Sequence, residues 1–450
     1  MSFPRCPAYK NSGAERFGSL PEHWAIVRLK NVLLQRITDG PHTTPVFEDD
    51  GVPFLSVDGI QDGELQFDGC RFISARDHEE YRKKALPRRD DLLMGKAAST
   101  GKIARVKVDF EFSIWSPLAL IRVDQATTWP AFIEYALKCP IAQAQIDDLC
   151  TSNTQKNISM DDIPRLMLAR PPLSEQVTIA AFLDRETAKI DALVEEQRCL
   201  IELLKEKRQA VISQAVTKGL DPNVPMKDSG VEWLGKVPAH WGLGGLTRFI
   251  GPVVDYRGRT PTKVDEGVFL VTARNIRNGK IDYTASEEYV DAESAESLLD
   301  RGRPEIGDVL FTMEAPLGQV ALIDRVDIAL AQRIVKFRGR QGVLHCNFLL
   351  YWFMGDHCQA RLTTLATGST ALGIKASKLG MIECLLPPLE EQAEIVQYVE
   401  REIEALDALV EQAQVASALL LERRSALISA AVTGKIDVRN LVQQQEAMAA

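Results

Sequence analysis

The chain of 450 residues contains no run of about 18 apolar residues, so no transmembrane helix is expected. Its opening, M-S-F-P-R-C-P-A-Y-K-N-S-G, lacks the apolar stretch of a secretory signal. No C-x-x-C occurs, and the cysteines (Cys6, Cys70, Cys139, Cys150, Cys199, Cys346, Cys358, Cys384) are scattered. Free thiols in a reducing cytoplasm suit that pattern better than disulfides. There is no G-x-x-x-x-G-K-[ST] loop, no G-x-G-x-x-G, no H-E-x-x-H and no G-x-S-x-G. His345-Cys346 and His357-Cys358 match no common zinc spacing and have no counterpart in the first half. The adjacent carboxylates Asp49-Asp50, Asp90-Asp91 and Asp161-Asp162 read as solvated turn residues rather than an acid/base pair. These absences predict a cytoplasmic chain with no membrane partner, no metal and no catalytic route of its own.

What is present is a repeat. Residues 171–217 run P-P-L-S-E-Q through I-S-Q-A-V-T, and residues 387–433 run P-P-L-E-E-Q through I-S-A-A-V-T. The offset is a constant 216 without a gap, with 23 identities in 47 positions. A period this long indicates a duplicated domain pair rather than a solenoid. Each copy reads as a helix of about 44 residues, roughly 65 Å long. In the first copy Pro171-Pro172 leads to Ser174 as the expected N-cap. The expected packing residues are Ile179, Leu183, Ile190, Leu193 and Leu204, facing Ile395, Val399, Leu406, Leu409 and Leu420 of the second copy. A pseudo-twofold would set the two helices antiparallel.

The segments between the helices are diverged copies of each other. Ser12-Gly13, Leu20-Pro21 and Trp24 recur as Ser229-Gly230, Val237-Pro238 and Trp241. Asp39, Ile60 and Gly63 recur as Asp255, Ile276 and Gly279. Asp91-Leu92-Leu93 and Gly101 recur as Asp308-Val309-Leu310 and Gly318. Short apolar runs such as 52–57, 92–94, 103–108 and 118–123, followed by a helix at 131–138, predict an α+β unit. The expected architecture is therefore two duplicated α/β domains (1–170 and 227–386) joined by two long, antiparallel, coiled-coil-like helical regions (171–226 and 387–450) in a pseudo-twofold circular arrangement. The framework is kept and the loops are not, which suits two sites for two different ligands.

The net charge of −9 argues at first against nucleic acid. Its distribution changes that reading. Residues 387–450 hold 11 Asp+Glu against 5 Lys+Arg, whereas 227–386 hold 19 of each. A balanced domain can still present a basic face.

At these residues the chain resembles the DNA specificity subunit of type I restriction-modification systems. The motifs that carry the resemblance are S-G-x-E-x-x-G-x-x-P-x-H-W at 12–24 and 229–241, D-G-P-H-T-T-P at 39–45, and P-P-L-x-E-Q at 171–176 and 387–392. The resemblance implies two target recognition domains that each read half of a split, asymmetric site in double-stranded DNA. It further implies that the helices space the halves and bind two methyltransferase subunits, with endonuclease subunits joining for restriction. S-adenosylmethionine would sit on the partner methyltransferase, and this chain would bind no cofactor. Tyr9–Gly13 resembles Met226–Gly230, so the C-terminus would lead back toward the N-terminus.

The candidate DNA-contacting residues fall in three loops per domain. In the first domain they are Asp39, His42, Thr43 and Thr44; Lys96, Ser99 and Lys102; and Asn153, Gln155 and Lys156. In the second they are Arg257, Arg259 and Thr260; Glu314 and Gln319; and Thr370 and Lys375. Arginine forks suit guanine, Asn and Gln suit adenine, and Lys and Thr suit phosphate. The run Arg82-Lys83-Lys84 with Arg88-Arg89 is a further phosphate stripe or a solvated face. Trp24 and Trp241 are expected to be framework. The competing reading is a two-module protein-interaction scaffold organised by the helical pair, which salt-dependent DNA binding would exclude.

Overall fold

The structure is a computed structural model and describes residues 3–151, 156–256, 258, 261–368 and 372–439. Its helices are α1 (Ala75–Tyr81), α2 (Pro130–Lys138), α3 (Pro140–Leu149), α4 (Leu173–Lys218), α5 (Ala292–Leu299), α6 (Cys346–Met354), α7 (Asp356–Leu365) and α8 (Leu389–Val432). The chain forms two compact units. One comprises Met1–Glu196 with Ala416–Ala450, the other Gln197–Val415. Each unit thus takes a mixed α/β domain, one end of α4 and the opposite end of α8.

In the first unit Leu92–Gly95 and Leu118–Ile121 pair antiparallel in the middle of a four-stranded sheet. Both strands are wholly buried, so their continuous apolar runs pack on two faces. Ile103–Arg105 and Thr38–Asp39 form the edges. A second sheet orders Ser113–Ile114, Val52–Leu55 and Arg71–Ile73, the first pair being parallel. In the second unit Val254–Asp255, Ile334–Phe337, Val309–Thr312 and Val320–Leu322 reproduce the first sheet strand for strand. Lys263–Val264, Tyr289–Val290, Val268–Val271 and Ile328–Leu330 form its second sheet.

The repeated motifs are internal ties. The Glu175 carboxylate accepts from Trp24 Nε1 at 2.8 Å and lies 2.7 Å from His23 Nε2. Glu391 repeats this with Trp241 and His240 at 3.0 and 2.8 Å. Gln176 and Gln392 are fully buried. Gln176 accepts from the Trp129 amide and donates to the Pro171 carbonyl; Gln392 does the same with His345 and Pro387. Thus P-x-H-W and P-P-L-x-E-Q are one device, clamping the start of each long helix to its domain. Trp24 and Trp241 are buried framework residues. In the first unit the chain also closes on itself: Asp437 N donates to Pro4 O, and Tyr9 Oη to Gly434 O.

Within each unit α4 and α8 run antiparallel. Arg424 pairs with Asp191 and Arg439 with Glu175 in the first unit, and Arg208 with Asp407 in the second. Ile179, Leu183, Ile190, Leu204, Ile395, Val399 and Leu406 are buried, and Leu420 is half-buried. Leu193 and Leu409 are corrections, since they stand 44% and 47% exposed. Ile190 and Val194 carry the seam four residues apart, and Leu193 lies about 100° round the helix from Val194. Leu406 and Ala413 likewise leave Leu409 outside. The stripes also cover the domains as well as each other. Tyr135 Oη donates to Asp184 Oδ1 at 2.7 Å, and the Asp356 amide to Ser213 Oγ at 2.9 Å. Ser174 lies inside α4 rather than at its N-cap. Asp91 is a further correction: it is buried and bound twice by the Arg122 guanidinium, not solvated.

Candidate nucleic-acid interface

In the first unit two of the three predicted loops meet at one carboxylate, and the third lies against the second of them. Asp39 ends the edge strand Thr38–Asp39 and is only 4% exposed. The Lys84 and Lys96 ammonium groups each donate to it at 2.5 Å, and His42 Nε2 lies 3.4 Å away. Burial raises the Asp39 pKa, but the two lysine hydrogen bonds and charges outweigh it and hold the carboxyl below its ordinary value. Gly40 follows because a Cβ there would lie 1.7 Å from Ile114 O. A carboxylate this enclosed has no surface for a base, so Asp39 is corrected from a contact residue to an anchor. Lys96 is turned inward onto it, its side chain only 13% exposed. His42, Thr43 and Thr44 stay exposed on the turn that Asp39 anchors.

The loop after Lys96 lies beside the Thr151–Ile158 loop. Ala97 bridges Asn157, Ile158 N donates to Lys96 O, and Thr100 Oγ1 donates to Lys156 O. Lys156 is exposed and paired with Asp147, and Ser99 is half-exposed. Lys102 turns away to the Ile60 carbonyl. The basic run is ion-paired on the surface: Arg82 with Glu79 and Glu111, Lys83 with Glu80, Arg89 with Asp109. Asn153 and Gln155 lie outside the described residues.

The second unit repeats the loop contact. Glu314 bridges Gly373, and Ile374 N donates to Met313 O. Its buried carboxylate is Asp308, the counterpart of Asp91, bound by Lys336 and Arg338. Burial raises the Asp308 pKa, and hydrogen bonds from those two cations bring it below the ordinary value. Glu314 is half-exposed and Lys375 exposed. Gln319 does not join Glu314; it lines a separate cleft with Arg208, Gln209 and Asn278. Arg257, Arg259, Thr260 and Thr370 lie outside the described residues. A cleft of about 250 Å³ lies against Pro261 and Ala315, and Arg274 and Arg333 line it, neither foreseen from the sequence. In the first unit the equivalent ground is filled. Phe47, Phe54 and Trp115 pack with ring centroids 6.0–6.5 Å apart, and the Arg71 guanidinium lies 4.5 Å over Phe47.

Among the described residues no group of three or more His, Cys, Asp and Glu side chains gathers as metal ligands would, and no helix is long and apolar enough to cross a membrane. The eight cysteines are free thiols.

One framework carrying two unlike loop sets defines a duplicated recognition protein. The family described as Type I restriction modification DNA specificity domain matches residues 21–203 and 262–415, and the chain belongs to that family. It is 23% identical over 436 residues to the Type I restriction enzyme EcoKI specificity subunit of Escherichia coli K12, covering 93% of this chain and 90% of that one. It is similar in fold to a chain solved in work on complex assembly and conformational transition of the type I R-M system, with a TM-score of 0.64, 18% identity, and coverage of 92% and 98%. The HsdS subunit of Thermoanaerobacter tengcongensis gives a TM-score of 0.53 at 18% identity, over 93% of this chain and 98% of that one. Membership in a family of specificity subunits implies a non-catalytic role in DNA sequence recognition and does not favour the scaffold reading.

Proposed function

We propose that this chain is the sequence-reading subunit of a cytoplasmic type I restriction-modification complex. Residues 1–170 read one half of a split site in double-stranded DNA and residues 227–386 the other. The helical regions 171–226 and 387–450 space the halves and carry two methyltransferase subunits, and endonuclease subunits join for restriction. S-adenosylmethionine belongs to the methyltransferase, and this chain binds no cofactor. The observation that carries this reading is the shared strand order of the first sheet and the matching Trp–Glu clamp bonds of the two units, beneath loops that differ side chain by side chain. Unlike loops on one frame read unlike halves, so the full site is asymmetric.

The first half-site would meet His42, Thr43, Thr44, Ser99 and Lys156, with Asp39 and Lys96 shaping the turn. The second would meet Glu314 and Lys375, together with Arg257, Arg259, Thr260 and Thr370. Helices of 46 and 44 residues, about 69 and 66 Å long, exceed the roughly 34 Å of one DNA turn and leave surface for partners. The test is single-molecule methylation sequencing of the native host with and without this gene. Loss of one split, asymmetric methyladenine motif on deletion is expected. An unchanged methylome, with no methyltransferase retained in a pulldown of this chain, refutes the reading.

A further inference from the structure

At the rim of the cleft in the second unit, the Glu314 carboxylate and the Arg333 guanidinium lie 3.1 Å apart, each side chain about half exposed. Their backbones are held. Glu314 bridges Gly373, and Met313 N donates to Arg333 O at 2.8 Å. Arg333 and Ala315 adopt φ of 81° and 46°, left-handed conformations that residues with side chains rarely take and that gather at ligand contacts. A half-exposed ion pair adds little stability, so stability does not account for this arrangement. The neighbouring Arg274 guanidinium is exposed and makes no ion pair among the described residues.

The chemistry of the pair matches one base pair. In the major groove guanine offers O6 and N7 to an arginine fork, and the cytosine opposite offers an N4 amino group that a carboxylate accepts. Side by side, Arg333 and Glu314 present that complementary set. In the free protein they neutralise each other; on DNA the base edges take over. We infer that Arg333 and Glu314 together read a single G·C base pair of the half-site recognised by the second unit, an inference that rests on the DNA-reading function proposed above. At the matching positions the first unit carries no such pair. Lys96 N donates to Pro117 O where Met313 N donates to Arg333 O, so Pro117 stands in the place of Arg333. Ala97 bridges Asn157 where Glu314 bridges Gly373, so Ala97 stands in the place of Glu314.

The test replaces Arg333→Gln, Arg333→Lys and Glu314→Gln one at a time in the native host. Methylation sequencing then reads the motif. Each purified complex is also assayed for methylation rate on duplexes altered at one half-site position at a time. Arg333→Gln and Glu314→Gln are expected to lower the rate on the native site about 10- to 100-fold and to relax the same single G·C position, leaving the other half-site untouched. Arg333→Lys should retain a weakened guanine preference. Full rate with unchanged sequence preference overturns the proposal, as does relaxation of two different positions or of a position in the other half-site. Glu314→Gln is isosteric, and thermal melting of each complex separates misfolding from lost reading. An unaltered host with no split motif, and no methyltransferase retained in a pulldown of this chain, overturns the DNA-reading function itself. A motif that is present but insensitive to these variants overturns the pair alone.

Discussion

The two units share the strand order of their first sheet and are opposites at one spot. In the first, Phe47, Phe54 and Trp115 pack together. In the second, matching ladder positions put Lys263, Leu270 and Ala331 there, and a cleft opens. Arg71 over Phe47 becomes Glu288 paired with Lys263 at 2.8 Å. The difference separates the parts of the fold by what they answer to. Strand pairings and helix clamps answer to the core, where a change of volume is felt throughout. Under the DNA-reading function proposed above, this spot answers to the half-site each unit meets, and its chemistry moves from aromatic to polar above a ladder that keeps its register.

The comparison breaks most severely at the buried carboxylates. Asp308 holds Lys336, whose side chain is 6% exposed, whereas Asp91 holds Arg122, at 16%. Asp308→Ala strands a buried ammonium and is expected to destabilise by about 3–5 kcal/mol. Asp91→Ala should cost less, because the Arg122 guanidinium is nearer water. Denaturant unfolding followed by a probe in each unit measures both, and equal losses would erase the distinction. Next comes the aromatic cluster. Trp115→Ala should cost roughly 2–4 kcal/mol for a half-buried ring. The reciprocal Ala331→Trp should cost about 1–3 kcal/mol through overpacking while filling the cleft. If Ala331→Trp left the methylation motif intact, the cleft would play no part in reading.

Much of this was legible. The repeat, the sheet strands 92–94 and 118–123 and both long helices are strongly periodic or continuously apolar, and apolar periodicity is what burial imposes. Leu193 and Leu409 escaped because a 3–4 alternation drifts against the 3.6-residue turn, and one position of error puts a side chain in water. The burial of Asp39 escaped because a polar turn reads as an exposed contact loop. That burial depends on Lys84 and Lys96, far away in the chain. The H-W and E-Q motifs were visible as motifs, but their joint role required knowing that residues 23–24 meet 175–176. Arg333 was missed because it leads into a buried strand. The usable signal was its place beside a loop already chosen, opposite Glu314.

A smaller difference lies in the clamps. Glu175 receives Trp24 and His23, and Arg439 at 3.4 Å besides. For Glu391, Trp241 and His240 are the corresponding donors. Glu175→Gln and Glu391→Gln should each cost on the order of 1 kcal/mol, since Gln still accepts the indole hydrogen bond but carries no charge. The first should exceed the second by a few tenths, the share of a partly exposed ion pair. Thermal melting at low and high salt sharpens this: the excess should shrink with salt, and an excess insensitive to salt would assign it to packing instead.

The smallest effect is one of pH, and its sign follows from Asp39. Its folded-state pKa lies below the ordinary value of about 3.9 because Lys84 and Lys96 outweigh burial. A depressed carboxylate contributes stability that is fully present above the unfolded pKa and is lost as pH falls through the folded one. Between pH 7 and 5 the melting temperature should therefore owe nothing to this group's titration, and below about pH 4 part of the decline should be its protonation. Asp39→Asn removes that part. The variant should start lower at neutral pH, because two lysines lose their counter-charge, and the gap to the unaltered protein should narrow toward pH 3. A gap constant across that range would mean that the two ammonium groups do not hold the carboxylate in its charged form. The turn bearing His42, Thr43 and Thr44 would then be positioned by Gly40 and the strand edge alone.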